Sequence, residues 1–235
     1  LHLYIATFII TIIHKALAMS IQAIVFDIDG TLVHSTPHCL QTTNSLLISN
    51  SKPPLTEDEY KAATKWDTPT RFTVHLHGEE FLSSPNFPTL FNDGRRLGSQ
   101  FDSLYVSSLT SSNCPLFDGV KEPLLKLKTE GIQVAALTNA CVAYADKVIS
   151  SHSLTPSFSV VEGSDTVPSS KPSPLGLLQI CRKLSVEPSD VLMVGDAVGD
   201  GTAGVEAGCK SLGVGWGSYE HDVLQESKQF TEGVV

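Results

Sequence analysis

Asp27 and Asp29 stand two residues apart at the end of the apolar run Ile21–Phe26, so both carboxyls reach one small volume. Two carboxylates that close repel, unless one holds a proton or a cation lies between them. Further along, Asp196 and Asp200 offer a third and a fourth carboxylate, and Gly195 and Gly199 let the backbone turn tightly around them. Hard oxygen ligands of this kind select Mg²⁺, which accepts few protein ligands and keeps several waters. Such an ion would also bridge an oxygen of a substrate phosphate. The residue types therefore point to metal-assisted chemistry on a phosphate ester.

The elements that must position these groups read as alternating strands and helices. Ile21–Phe26 is a short β-branched run of the buried parallel type. Val120–Thr129 predicts an amphipathic helix closed by Gly131, and Ile132–Leu137 a strand ending in Thr138-Asn139. Ala140–Ser151 predicts a helix, Ser157–Val161 a strand, and Pro174–Leu184 a helix opened by proline. Asp190–Val194 is a further buried strand running into Gly195-Asp196, followed by a short helix over Gly201–Ala207 and a strand over Ser211–Val214. This alternation implies an α/β fold, a doubly wound parallel sheet with right-handed crossovers. Ligands of such sheets bind at the carboxyl ends of the strands, where Asp27, Thr138 and Asp196 fall. The stretch 34–114 differs: it is rich in Ser, Thr, Asn and Pro, with helical fragments near Thr56–Trp66 and Leu97–Leu109. Thr56 with Glu59 resembles a capping box.

Four motifs in order carry a family resemblance: Asp27-Ile28-Asp29-Gly30-Thr31-Leu32, Thr138-Asn139, Lys171-Pro172, and Gly195-Asp196-Ala197-Val198-Gly199-Asp200. The chain resembles the haloacid dehalogenase (HAD) superfamily over about Ile21 to Gly215. The resemblance implies a HAD-like Rossmannoid core from 19–33 and 115–235, with a helical cap inserted over 34–114. It implies that Asp27 attacks phosphorus and carries an aspartyl phosphate, while Asp29 acts as general acid and then general base. Thr138 and Asn139 would hold phosphate oxygens, and Lys171 would neutralise the phosphate and Asp27. Mg²⁺ would be ligated by Asp27, by the backbone carbonyl of Asp29 and by Asp196, and oriented by Asp200 through water or Lys171. An acid at Asp29 argues for phosphoryl transfer over dehalogenation. Phosphonate-cleaving relatives use a cap lysine, for which Lys52, Lys61 and Lys65 are the candidates.

The stretch Leu116–Val120 and its spacing to Lys171-Pro172 resemble phosphoglycolate-phosphatase-type enzymes, which act on small phosphates. The expected partner is thus a small phosphorylated metabolite; oligomeric state stays open. Arg71, His75 and His77 are the cap's candidates for substrate contact, against a plain surface or core role. Two further readings keep the same fold: a phosphomutase of the β-phosphoglucomutase type, and a non-catalytic HAD-like binding protein.

Composition narrows the classes further. The chain has 235 residues, 41% hydrophobic, enough for one core domain with an insertion. A formal net charge of −9 opposes nucleic-acid binding, which needs a Lys/Arg surplus. Five scattered cysteines, with no C-x-x-C pair, read as small buried hydrophobes in a reducing compartment. The apolar run Leu3–Ile13 is too short to span a bilayer. Residues 1–18 therefore read as a leader or a targeting segment ahead of Met19, and the protein as cytoplasmic, or organellar if that segment is a targeting peptide. The tail after Gly217 shows no recognisable finished element and reads as cut short.

Overall fold

A computed structural model describes residues 20–235; the leader assigned to residues 1–18 lies outside the described residues. In chain order the elements are β1 (Ala23–Phe26), α1 (Thr36–Ser49), α2 (Glu57–Ala62), α3 (Thr68–His77) and α4 (Phe87–Ser108). Then come α5 (Lys121–Thr129), β2 (Gln133–Leu137), α6 (Val142–Ser151), β3 (Val160–Glu162) and α7 (Leu175–Leu184). The last are β4 (Val191–Gly195), α8 (Val198–Ala207), β5 (Lys210–Gly213) and α9 (His221–Ser227). The chain divides into two compact units: residues up to His34 with Thr110–Val235, and Ser35–Leu109.

The first unit is a five-stranded, wholly parallel sheet in the order β3-β2-β1-β4-β5. The Ala-Ile-Val-Phe run of β1 is buried throughout because it pairs on both sides, Val25 lying opposite Ala135 of β2 and Met193 of β4. Val25, Ala135, Leu137, Leu177, Ile180 and Met193 belong to one continuous buried cluster with Ala203 and Ala207 of α8. Burying the Val, Leu, Ile and Met side chains among them stabilises by about 1.5–3 kcal/mol each. Cys39, Cys114, Cys181 and Cys209 are buried, Cys141 partly so, and none of the five is in a disulfide.

Several boundaries differ from the sequence expectation. The segment Thr155–Ser157 is a 3₁₀ turn, so β3 begins only at Val160. Helix α8 begins at Val198, three residues earlier than read, because Asp200 folds back to accept the Ala197 N–H at 3.0 Å. The tail is built: after α9 the chain returns beside β5, with Gly213 N–H donating to Gly233 O at 3.0 Å and Val235 N–H to Gly213 O at 3.1 Å. Ser211 Oγ donates to Gln229 O at 2.8 Å and accepts the Thr231 N–H at 3.0 Å, fastening the same return.

The second unit is helical in every regular element described. Its core stacks Phe101 on Tyr105 at 5.3 Å between ring centres, with Phe72 against Phe101 at 5.6 Å. The box expected at Thr56 is present: Thr56 Oγ1 accepts the Glu59 N–H and Glu59 Oε2 accepts the Thr56 N–H at 2.8 Å. Helices α1 and α3 open with proline in the first turn, and Asp67 caps α3 by accepting the Thr70 N–H at 2.9 Å. Among the described residues no helix is long and apolar enough to cross a membrane.

Candidate active site

In a sheet of order 3-2-1-4-5 the connections part company between β1 and β4, which opens a crevice at their carboxyl ends. Asp27 is the residue after β1 and Asp196 the residue after β4; the Asp27 N–H continues the ladder by donating to Val194 O at 2.9 Å. On the other side of β1, Thr138 follows β2, with its N–H on Glu162 O at 3.1 Å. The two-residue pattern of strands and the one-residue overhang thus bring three polar side chains to one edge of the sheet.

Lys171 joins them from the loop before α7. Its Nζ donates to Asp27 Oδ1 at 2.7 Å and stands 2.7 Å from Asp200 Oδ1. Lys171, Asp27, Asp196 and Asp200 are all buried. Asp200 lies in the first turn of α8, where the helix N-terminus favours a negative charge. Asp196 is held at both oxygens: Thr31 Oγ1 donates to Oδ1 at 3.1 Å and the Ser218 N–H donates to Oδ2 at 2.6 Å. The loop carrying Ser218 can come this close only because Gly217 has no side chain, since a Cβ there would lie 2.2 Å from Asp196 Oδ2. The loop is further tied by Trp216, whose Nε1 donates to Thr31 O at 3.3 Å.

Asn139 is placed differently from the simplest expectation. Its Nδ2 donates to Lys171 O and its Oδ1 accepts the Lys171 N–H, both at 2.9 Å. The carboxamide therefore clamps the Lys171 loop to the end of β2. Thr138 Oγ1 accepts the Ala140 N–H at 3.0 Å, an arrangement that turns the chain towards α6. Asp29 lies partly buried, its Oδ1 accepting a 2.5 Å hydrogen bond from Tyr144 Oη.

The charges in this cluster do not balance. Ligand atoms of Asp27, Asp196 and Asp200 lie within 4.8 Å of one another, and Lys171 is the cation that faces Asp27 and Asp200. Burial pushes the Asp27 carboxyl well above its usual value; Lys171 opposes this, while Asp200, Asp196 and Asp29 add to it. Burial likewise raises Asp196 to about 6, with Asp200 adding to the effect. Burial alone would discharge Lys171, but Asp200 and Asp27 overcome it and hold the ammonium charged. Three carboxylates against one ammonium leave two negative charges in a buried volume, which a dication cancels. The donor set, all hard carboxylate oxygen, suits a small divalent ion such as Mg²⁺. The residues present thus fit a divalent metal.

The residues proposed for substrate contact in the helical unit are placed in its own interior or at its own charges. Arg71 is buried, with its guanidinium 5.1 Å from the ring centres of Tyr60 and Phe101, and Nη1 donates to Tyr60 Oη at 3.2 Å. Burial, reinforced by Arg71, lowers His75 to about 4, so its ring is neutral. His77 stands 3.6 Å from Asp93. Of the candidate lysines, Lys52 donates to Leu76 O at 2.7 Å, Lys61 pairs with Glu57 at 2.8 Å and Lys65 with Glu79 at 3.2 Å.

Sequence reasoning missed Tyr144, Ser218 and Trp216. Ser218 lies five residues beyond β5 and acts through its backbone N–H, so the only trace it leaves in the sequence is the glycine before it. Tyr144 sits in the first turn of α6, directly after the Thr138-Asn139 strand end.

The profile of the haloacid dehalogenase-like hydrolase family matches residues 21–208. The chain is 30% identical over 211 residues to the phosphoglycolate phosphatase of Psychrobacter arcticus, covering 88% of this chain and 89% of that protein. It is also 30% identical over 204 residues to the phosphoglycolate phosphatase of Chromobacterium violaceum, covering 87% and 89%. Among solved structures, the Haemophilus somnus protein described as a predicted phosphoglycolate phosphatase superposes with a TM-score of 0.74 at 24% identity, over 92% of this chain and 93% of that one. CbbY from Rhodobacter sphaeroides, solved in complex with phosphate, gives a TM-score of 0.72 at 20% identity over 92% and 93%, a likeness of fold. With its four motifs gathered at the ends of β1, β2 and β4 and in the loop before α7, the chain belongs to the haloacid dehalogenase-like hydrolase family.

Proposed function

We propose that this chain is a Mg²⁺-dependent phosphatase that hydrolyses a small phosphate monoester, of the 2-phosphoglycolate kind, through phosphorylated Asp27. The observation that carries the reading is the Lys171 ammonium lodged between Asp27 and Asp200, beside Asp196. A lysine so placed holds one Asp27 oxygen and leaves the other to attack phosphorus. That bond forms as the bond from phosphorus to the leaving oxygen breaks, and the Asp29 carboxyl gives its proton to that oxygen. In the second step a water attacks phosphorus, its proton passes to Asp29, and the Asp27–phosphorus bond breaks to release phosphate. Lys171 and Thr138 stabilise the charge spread over the phosphoryl oxygens, and Asn139 keeps Lys171 in place. When bound at Asp27, Asp196 and the Asp29 carbonyl, with Asp200 as the orienting group, Mg²⁺ supplies charge neutralisation and a fixed point for the phosphate. We assign the choice of leaving group to the helical unit 35–109, in keeping with a cap inserted after the first motif.

The test is phosphate release from p-nitrophenyl phosphate and from 2-phosphoglycolate, with Mg²⁺ and after chelation. Activity should need Mg²⁺, and Asp27→Asn should lower kcat by at least about 1,000-fold. Release that survives both chelation and Asp27→Asn unchanged would overturn the proposal.

A further inference from the structure

We propose that Tyr144 is a positioning residue for Asp29, an inference that rests on Asp29 being the proton-transfer group of the phosphatase reading. Two carboxylates lie two residues apart in the first motif, and they are held by opposite kinds of partner. Asp27 faces the Lys171 ammonium at 2.7 Å. Asp29 faces a phenol: Tyr144 Oη donates to its Oδ1 at 2.5 Å, a bond between residues 115 apart in the chain.

The difference suits the two tasks. A nucleophile must be ionised and must keep one oxygen back, which a fixed ammonium achieves. A group that gives and then takes a proton must have one oxygen aimed at the leaving oxygen, and a hydroxyl donor on the other oxygen does the aiming. A neutral O–H donor fixes the rotation of the carboxyl group and adds no charge. Fixing one oxygen sets the place of the other, and transition-state geometry is sensitive to small misplacement.

The donor is itself well anchored. Tyr144 is 2% exposed, and it lies in the first turn of α6. That turn is held in place by the Val142 N–H donating to Asp165 Oδ1 at 2.7 Å and by the Tyr144 N–H donating to Cys141 O at 3.1 Å. It starts from the loop that carries Thr138 and Asn139. The phosphate-facing end of β2 and the orienter of Asp29 are therefore one rigid piece. Phenylalanine at 144 would keep the ring and its packing and remove only the hydroxyl.

Leaving-group dependence separates this role from general structural support. An alkyl phosphate such as 2-phosphoglycolate needs a proton on its leaving oxygen, whereas p-nitrophenolate departs with little help. The ratio kcat/KM reports the first step alone, and kcat includes the second, in which Asp29 takes the proton of water whatever the substrate was. Tyr144→Phe should lower kcat/KM by about 10-fold for 2-phosphoglycolate and by less than about 3-fold for p-nitrophenyl phosphate. It should lower kcat for p-nitrophenyl phosphate by about 10-fold, so that KM falls with it. The comparison of two substrates on one preparation cancels the concentration of folded enzyme. Equal loss of kcat/KM on both substrates, or no loss on either, refutes the role of Tyr144. Asp29→Asn in parallel keeps the two readings apart: if it shows the steep leaving-group dependence and Tyr144→Phe does not, Tyr144 alone is wrong. If Asp27→Asn retains full activity, the phosphatase reading itself has failed.

Discussion

Metal binding and proton binding compete for the same buried carboxylates, so the cluster's share of the pH dependence of stability should reverse when Mg²⁺ is added. Asp196 is 1% exposed, and burial with Asp200 nearby raises it from its usual 3.8 to about 6. A carboxyl whose folded value lies above its unfolded value binds its proton more tightly when folded. Its contribution to stability is therefore fully present below the unfolded value and is lost as pH rises through the folded one. At about 1.4 kcal/mol per pH unit of separation, the whole effect is about 3 kcal/mol, of which about 1.4 kcal/mol falls between pH 5 and pH 8. Asp27, raised in the same direction, adds to the loss. For a chain of this length each kcal/mol moves the melting temperature by roughly 2–4 °C, so in chelator the Asp196 share should lower the melting temperature by roughly 3–6 °C between about pH 5 and about pH 8, read as the difference between wild type and Asp196→Asn, because the neutral His75 moves the whole-protein profile the other way. Mg²⁺ at a hundred times its Kd should return about 2.7 kcal/mol at the higher pH and much less at the lower, where protons hold the ligands. Thermal melts across this range, with chelator and with Mg²⁺, measure both slopes. Asp196→Asn should remove the Asp196 share, so that its chelated profile departs from that of wild type by that amount. If wild type and Asp196→Asn show the same pH profile in chelator, the cluster does not carry the unbalanced charge argued for it.

Lys171→Met should leave Asp27 and Asp200 buried without their cation, costing about 3–5 kcal/mol by urea unfolding in chelator, with a smaller loss when Mg²⁺ is present. Gly217→Ala should push the Ser218 loop away from Asp196, because the new Cβ would meet Asp196 Oδ2 at 2.2 Å and Gly30 O at 2.4 Å. Its expected signature is about 10-fold weaker Mg²⁺ activation with KM for substrate little changed, read from metal titrations of activity. Thr56→Ala should remove one side of the capping box and cost about 1 kcal/mol of stability, with kcat unaffected, as denaturant midpoints and initial rates would report.

What the sequence made legible was the set of positions where backbone pattern and side-chain chemistry coincide. Asp27, Thr138 and Asp196 each follow a short apolar strand, so periodicity alone places them on one edge of the sheet, and the Thr56–Glu59 box is local in the chain. The helical unit was harder. Helix α1 carries the Ser-, Thr- and Asn-rich sequence Thr36–Ser49, whose intrinsic propensity is weak, and it forms by packing Leu46 and Leu47 inward. Helix α4 was legible only from Leu97, and Gly94, a weak helix former, lies in the part that was missed. In the fold that glycine is a seam, since a Cβ on it would lie 2.3 Å from Pro69 O and 2.0 Å from Thr73 Oγ1 of α3. A residue that weakens its own helix is thus what lets two helices approach, and only the partner reveals it.

The same logic separates the legible part of the site from the hidden part. Residues that touch the reacting atoms sit in motifs because their chemistry admits few substitutes at fixed places along the chain. Residues that hold those groups need only supply a donor from whichever element passes nearby. Ser218 uses a backbone N–H, which leaves no side-chain requirement at its own position but demands a glycine before it. Tyr144 uses a phenol from a helix whose periodicity makes it look like one more buried aromatic. The Asn139 carboxamide, which does lie in a motif, bonds to the backbone of Lys171 across 32 residues of chain. Its place beside Thr138 reflects where the Lys171 loop passes as much as where a phosphate would lie. A role for Asn139 in holding the Lys171 loop would make motif membership and contact with substrate separable properties in this site. If they are, Asn139→Ala should act through Lys171, raising the loss from Lys171→Met by little when the two are combined, whereas independent phosphate contacts would give losses that add.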